Sequence, residues 1–240
     1  MGDKYLIHHR SIPYNCLMNF STLFVDLDDT LYPNDNGLWE AIRERMAQFM
    51  ENRLGFPPED IPEIRRTYFE TYGTTLKGLQ INYQVDSDEY LSYVHDLPLE
   101  KYIKPDEKIK PLLTSLPQRK WIFTNADINH ARRVLSILDI DDCFAGIIDI
   151  HALSFFCKPD PQAYLNALSV ADENNPIRCV MFDDAPRNLV PAKQLGMTTI
   201  QVGTHPRSAS ADYSITSLHE LPFKMPELWA KALSQMNTEN

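Results

Sequence analysis

The chain reads as an α/β protein: a parallel sheet covered by helices on both faces, with an all-helical insertion after the first strand. Three observations predict this. Short apolar, β-rich runs recur along the chain, helical patterns separate them, and residues 34–102 carry helical periodicity without a strand pattern.

Leu23, Phe24 and Val25 form the first run, which stops on acidic residues. A strand buried on both faces is apolar throughout, so its polar groups collect at the carboxyl end. The pattern returns at Trp121-Ile122-Phe123, Gly146-Ile147-Ile148, Cys179-Val180-Met181-Phe182 and Thr199-Ile200-Gln201-Val202. Between these runs, Ala131, Val134, Leu135 and Leu138 share one helical face. A helix is expected from Pro159 through Tyr164, Leu165 and Leu168. Another is expected from Asn188 to Leu195, with Gly196 as its C-terminal stop. Strands alternating with helices specify a Rossmann-like parallel sheet, whose ligands bind beyond the carboxyl ends of the strands.

The rhythm breaks between residues 34 and 102. Leu38, Ile42, Met46, Phe49 and Met50 make a helical face that Gly55 and Pro57-Pro58 end. A second helix is expected from Glu59 or Ile61 to Tyr72, and a third from Ser87 to about His95. Inserted after the first strand, these helices would cover the strand ends as a lid. The expected division is an irregular lead-in over 1–20, an α/β core from 21–33 and 103–240, and a helical cap over 34–102. Met18 stands just before the first clear element, so residues 1–17 are expected to be dispensable.

A length of 240 residues accommodates one sizeable domain plus that insertion. The net charge of −10 argues against a nucleic-acid polymer or an anionic membrane as partner. No apolar run approaches the ~20 residues that span a bilayer. Cys16, Cys143, Cys157 and Cys179 show no CxxC spacing, and no signal peptide is visible. Reduced thiols in a cytoplasmic protein are the reading. The oligomeric state is not legible.

The chemistry-bearing residues sit at the strand ends. Asp26-Leu27-Asp28-Asp29-Thr30 follows the first strand, and Asp26 and Asp28 can both point into one site. The second strand stops at Thr124-Asn125, a hydroxyl followed by N–H groups entering a helix, which suits phosphate oxygens. Cys157-Lys158-Pro159 places a fixed cation just before a proline-started helix, and Val180-Met181-Phe182 stops at the acidic pair Asp183-Asp184. Each has a bland alternative: an acidic turn, a helix cap, a surface lysine. All four in order, each at an expected strand end, read as one site.

Asp26-x-Asp28-x-Thr30, Thr124, Lys158 and Asp183-Asp184 resemble the four motifs of the haloacid dehalogenase (HAD) superfamily. The likeness covers the chain beyond residue 20, with the insertion in the place of that superfamily's helical cap. Residues 72–79 (Tyr-Gly-Thr-Thr-Leu-Lys-Gly-Leu), Leu97-Pro98-Leu99 and Lys104-Pro105-Asp106 are similar to the cap of the pyrimidine 5′-nucleotidase subfamily. So are Phe123-Thr124-Asn125-Ala126 with Asn129-His130-Ala131, Cys157-Lys158-Pro159, and Asp183-Asp184 with Asn188. Phe182 stands where many superfamily members have Gly, and Asp29, at the variable position, has no assigned role.

Residue types and resemblance together imply a phosphomonoesterase. Asp26 would attack phosphorus to give an acyl-phosphate, with Asp28 as acid and then base. That double role calls for an Asp28 pKa raised towards neutrality by its carboxylate neighbours. Mg²⁺ would be held by Asp26, the Asp28 backbone carbonyl and Asp183. Lys158 would neutralise nucleophile and phosphoryl group, Thr124 would hold phosphoryl oxygens, and Asp184 would position Lys158 or a water. Asn125, Thr30, Lys77 and His130 are the candidate substrate contacts. The leading substrates are pyrimidine nucleoside 5′-monophosphates; sugar phosphates, phosphoglycolate and pyridoxal phosphate are the alternatives. A phosphomutase would also keep Asp28. Dehalogenation has no use for an acid there, and a silent scaffold is expected to lose Asp26, Asp28, Lys158 or Asp183.

Overall fold

The computed structural model describes residues 20–229 apart from 34 and 36. Most of the lead-in, with Cys16 and Met18, therefore lies outside the described residues.

The chain opens with β1 (Thr22–Val25) and then runs through four helices: α1 (Leu38–Leu54), α2 (Ile61–Tyr72), α3 (Thr75–Tyr83) and α4 (Ser87–Val94). Strands and helices then alternate: α5 (Ile109–Ser115), β2 (Arg119–Phe123), α6 (Ile128–Leu138), β3 (Gly146–Ile148), α7 (Pro161–Val170), β4 (Cys179–Asp183), α8 (Pro186–Gln194) and β5 (Thr198–Val202). β6 (Tyr213–Ile215) and α9 (Leu221–Lys224) follow. The strands form one sheet in the order β3-β2-β1-β4-β5-β6, every pair parallel. Among the described residues no helix is long and apolar enough to cross a membrane.

Each expected strand is present within two residues of its expected bounds. β1 is buried at every position because both faces are covered. Leu23 and Val25 pack on one side with Ile122, Val180 and Phe182, whereas Phe24 packs on the other with Phe123, Met181 and Tyr164. Successive side chains alternate across a strand, so an unbroken apolar run serves both layers. β6 was not expected, nor were α5 and α3. Two helix starts are corrected: α8 begins at Pro186 rather than Asn188, and α7 begins at Pro161, with the Asp160 side chain accepting from the Gln162 N–H. Pro159 precedes it on a cis peptide bond from Lys158.

The helices between β1 and β2 build a separate cluster from Phe49, Met50, Ile61, Leu76, Leu79, Tyr90, Leu91 and Val94. Ile150 and Cys157, from the loops after β3, join it. Leu38 and Ile42, at the start of α1, pack instead with the sheet. One helix therefore joins the two hydrophobic clusters, and the space between them is where the strand ends open.

Candidate active site

Strand register brings the first two carboxylates together. Val25 lies opposite Phe182 in the parallel pair β1–β4, and the Asp26 N–H donates to the Phe182 carbonyl at 2.9 Å. Asp26 and Asp183 thus leave the sheet side by side. Lys158 reaches them from the loop before α7. Its ammonium, on a side chain 1% exposed, meets Asp26 Oδ1 and Asp183 Oδ2 at 2.7 Å each. Those two carboxylates hold the ammonium above its ordinary pKa despite burial, which acts the other way. The loop is itself fixed: the Asn125 side-chain amide donates to the Lys158 carbonyl at 3.0 Å and accepts from the Lys158 N–H at 2.7 Å.

Asp183 has no exposed surface, and its other oxygen accepts from the Ala185 N–H at 3.0 Å and the Asn188 amide at 2.9 Å. Asp184 is less buried and lines the cavity described below. Asp183 therefore makes the contact to Lys158 that was expected of Asp184, and Asp184 faces the open space. Successive residues at a strand end point opposite ways, which is why only one of the pair can meet the lysine. Burial first, and then the Asp183 charge, raise the Asp184 carboxyl to about 6. Burial and both neighbouring carboxylates also push Asp26 upward, against the pull of Lys158.

Asp26, Asp183 and Asp184 each offer a carboxylate oxygen, and these lie within 4.8 Å of one another. Three carboxylates against one ammonium leave surplus negative charge, and every donor is a hard oxygen, as Mg²⁺ requires. Asn188 Oδ1, buried beside them, has no hydrogen-bond partner among the described residues. The residues present therefore fit the ion.

Asp28 is held sideways. Its Oδ1 accepts from the Tyr32 hydroxyl at 2.5 Å and lies 2.8 Å from His130 Nε2. His130 stacks on His95, ring centroids 4.2 Å apart, and His95 Nδ1 lies 2.7 Å from Asp127 Oδ2. Burial raises the Asp28 carboxyl, but the His130 charge, the His130 hydrogen bond and the Tyr32 hydrogen bond outweigh it. The net direction is down. An Asp28 raised towards neutrality is thus corrected: its dominant neighbours are donors, not carboxylates.

Above these groups lies a cavity of about 570 Å³, bounded below by Asp26, Asp28, Thr124, Lys158 and Asp184 and above by helices α1 to α4. Thr124 Oγ1 accepts from the Ala126 N–H at 3.0 Å, which leaves its hydroxyl hydrogen free to donate. The candidate substrate contacts divide. Asn125 and Lys77 line the cavity, although the Asn125 amide is committed to Lys158 and Lys77 Nζ donates to the Phe155 carbonyl at 3.2 Å. Thr30 and His130 do not line it. Thr30 is buried and His130 meets Asp28 at its Nε2, so neither borders the cavity where a substrate contact was expected.

Other residues enter that the sequence did not single out. Tyr32, four residues beyond Asp28, and the His95–Asp127 pair support the Asp28 side chain. Asp29 sits at φ 63 and lines the cavity, and burial, then the Asp184 and Asp28 charges, raise its carboxyl to about 7. Arg187, in the first turn of α8, stacks on Phe69 with its guanidinium carbon 3.5 Å from the ring centroid. It donates to the Phe69 and Gly73 carbonyls at 3.0 and 2.8 Å, tying α8 to the end of α2. Asp28 and Tyr32 lie four residues apart in a turn rather than on a helix, so no periodicity marks the pair.

Residues 20–196 match the haloacid dehalogenase-like hydrolase family. Phosphate metabolism protein 8 of Saccharomyces cerevisiae is 33% identical over 188 residues, which span 72% of this chain and 59% of the yeast protein. The HAD phosphatase of Thermococcus onnurineus shares the fold at 19% identity and a TM-score of 0.59, over 85% of this chain and 97% of that one. The HAD hydrolase YfnB of Bacillus subtilis, bound to magnesium, superposes at 15% identity and a TM-score of 0.56, over 85% and 98%. Together with a strand-end site built from Asp26, Lys158 and Asp183, the match makes the chain a member of the haloacid dehalogenase-like hydrolase family.

Proposed function

We propose that this hydrolase is a Mg²⁺-dependent phosphomonoesterase that forms an aspartyl-phosphate on Asp26. Its substrates are pyrimidine nucleoside 5′-monophosphates, and residues 34–102 form the cap over its strand ends. The observation that carries the reading is the Lys158 ammonium, 2.7 Å from both Asp26 and Asp183 at the floor of a cavity that Asp26, Asp28 and Asp184 line.

A carboxylate of Asp26 attacks phosphorus, the bond to the leaving oxygen breaks, and that oxygen takes its proton from Asp28, whose lowered pKa the bound phosphate dianion pushes back up. Water then attacks the acyl-phosphate, Asp28 takes the water's proton, and the bond between phosphorus and Asp26 breaks to release inorganic phosphate. Lys158 and the Thr124 hydroxyl bind phosphoryl oxygens throughout. Asp26, the Asp28 backbone carbonyl and the Asp183-Asp184 pair would hold Mg²⁺, which when bound offsets repulsion between the Asp26 carboxylate and the phosphate dianion. The magnesium-bound Bacillus hydrolase of the same fold supports the choice of ion. The assignment to pyrimidine nucleotides rests on residues 72–79 and their companion stretches.

Phosphate release from a panel of nucleotides and sugar phosphates, with Mg²⁺ and with EDTA, tests the reading. Release is expected only with Mg²⁺ and fastest from UMP and CMP. Equal rates across the panel would overturn the nucleotide assignment, and metal-independent turnover would overturn the role of the ion.

A further inference from the structure

The helical wall of the cavity contains two polar atoms that the fold buries and does not use. Tyr90, on α4, is 1% exposed and packs among Phe49, Leu91 and Val94, yet its hydroxyl has no hydrogen-bond partner among the described residues. Arg65, on α2, lines the same cavity, and its Nε–H is likewise buried without a partner. Burial lowers the pKa of its guanidinium. Buried polar atoms are almost always paired, so an unpaired set facing a cavity marks a ligand contact.

We infer that Tyr90 and Arg65 bind a keto oxygen on the leaving group, and so select phosphomonoesters whose leaving group is an uncharged ring bearing a carbonyl. This rests on the phosphomonoesterase reading and adds the specificity-determining residues to it. A phenol hydroxyl and a single guanidinium N–H on one cavity wall are two donors that can serve one acceptor. A carboxylate would instead be gripped by the paired ends of a guanidinium. Here Arg65 Nη1 already donates to the Arg43 carbonyl at 3.4 Å, and the neighbouring Arg43 and Arg66 meet Glu40 and Glu63 at 3.2 and 2.6 Å. The surrounding wall is apolar: Met46, Phe69, Leu91 and Val94 line it, as the faces of a flat ring require. Uracil and cytosine both carry a ring carbonyl, adenine carries none, and a sugar phosphate carries no ring of this kind.

The test compares kcat/KM for UMP, AMP and ribose 5-phosphate in the wild type, Tyr90→Phe and Arg65→Lys. The preference for UMP over AMP is expected to fall about tenfold or more in each variant, the scale of one lost hydrogen bond, through KM rather than kcat. An unchanged preference, or the same loss on all three substrates, overturns the inference. Tyr90→Phe is expected to melt no lower than the wild type, because the hydroxyl it removes has no partner. A lower melting temperature assigns that hydroxyl a structural bond and also overturns it. The inference separates from the proposed function through uridine, which has no phosphate. Uridine is expected to raise the wild-type melting temperature and to do so less in Tyr90→Phe. A wild type that uridine does not stabilise overturns the carbonyl site even where UMP is hydrolysed. A chain that binds uridine and releases no phosphate from UMP overturns the proposed function alone.

Discussion

Lys158 at the strand ends and Tyr90 in the helical wall are each 1% exposed, but the ammonium of one meets two carboxylates at 2.7 Å while the hydroxyl of the other meets no partner among the described residues. Around Lys158, Asp183 accepts three hydrogen bonds and Asn125 clamps the loop from both sides. The floor is therefore organised before any ligand arrives, as a site that stabilises a transition state must be. The wall withholds its donors for what comes in. Substitutions in the floor should damage chemistry and folding together, whereas substitutions in the wall should change choice of substrate.

The largest effect is expected at Asp26, the proposed nucleophile. Asp26→Asn keeps the shape and an oxygen for Lys158 but removes the charge that attacks, and turnover should fall about 10⁴-fold or more. Phosphate release under single-turnover conditions measures it, and retained turnover would sink the covalent step. Next comes Lys158→Met. Removing one partner of a buried ion pair leaves the others uncompensated, so unfolding free energy should drop by about 3–5 kcal/mol in EDTA. Urea unfolding reads this directly. A loss below about 1 kcal/mol, the worth of an exposed pair, would erase the contrast between floor and wall.

The floor was also the more legible region in the sequence, for a physical reason. A strand buried on both faces has to be an apolar run ending on polar residues, so Asp26, Thr124 and Asp183 announce themselves as ends. Which carboxylate of Asp183-Asp184 meets Lys158 depends on the direction of one side chain, and residue types do not encode that. β6 is three residues long with Ser214 at its centre, too short to show a period. α3 contains Gly78, which weakens a helical reading, and its reason is tertiary: a Cβ there would lie 2.3 Å from Tyr68 Cγ on α2. The support of Asp28 by His130 joins residues 102 positions apart, and that of His95 by Asp127 joins residues 32 apart. Neither pair has a local signature.

Floor and wall meet at Gly73, in the turn between α2 and α3. Its φ of 90 is a conformation that side chains rarely adopt, and a Cβ would approach the Lys158 carbonyl at 3.2 Å, Pro159 Cδ at 3.2 Å and Cys157 Sγ at 3.3 Å. Arg187 holds the same turn through the Gly73 carbonyl. Gly55, which ends α1 at φ 70, has nothing within 4 Å of its would-be Cβ, so it isolates the backbone part of the cost. Gly55→Ala should therefore destabilise by about 1 kcal/mol, the left-handed penalty by itself. Gly73→Ala should lose about 1–3 kcal/mol, because crowding adds to that penalty. It should also raise KM, since relief of the contact moves the wall away from the Lys158 loop. Urea unfolding of both variants, with kcat and KM for Gly73→Ala, decides the matter. Equal destabilisation and an unchanged KM would mean that the turn does not set the spacing between the two halves of the site.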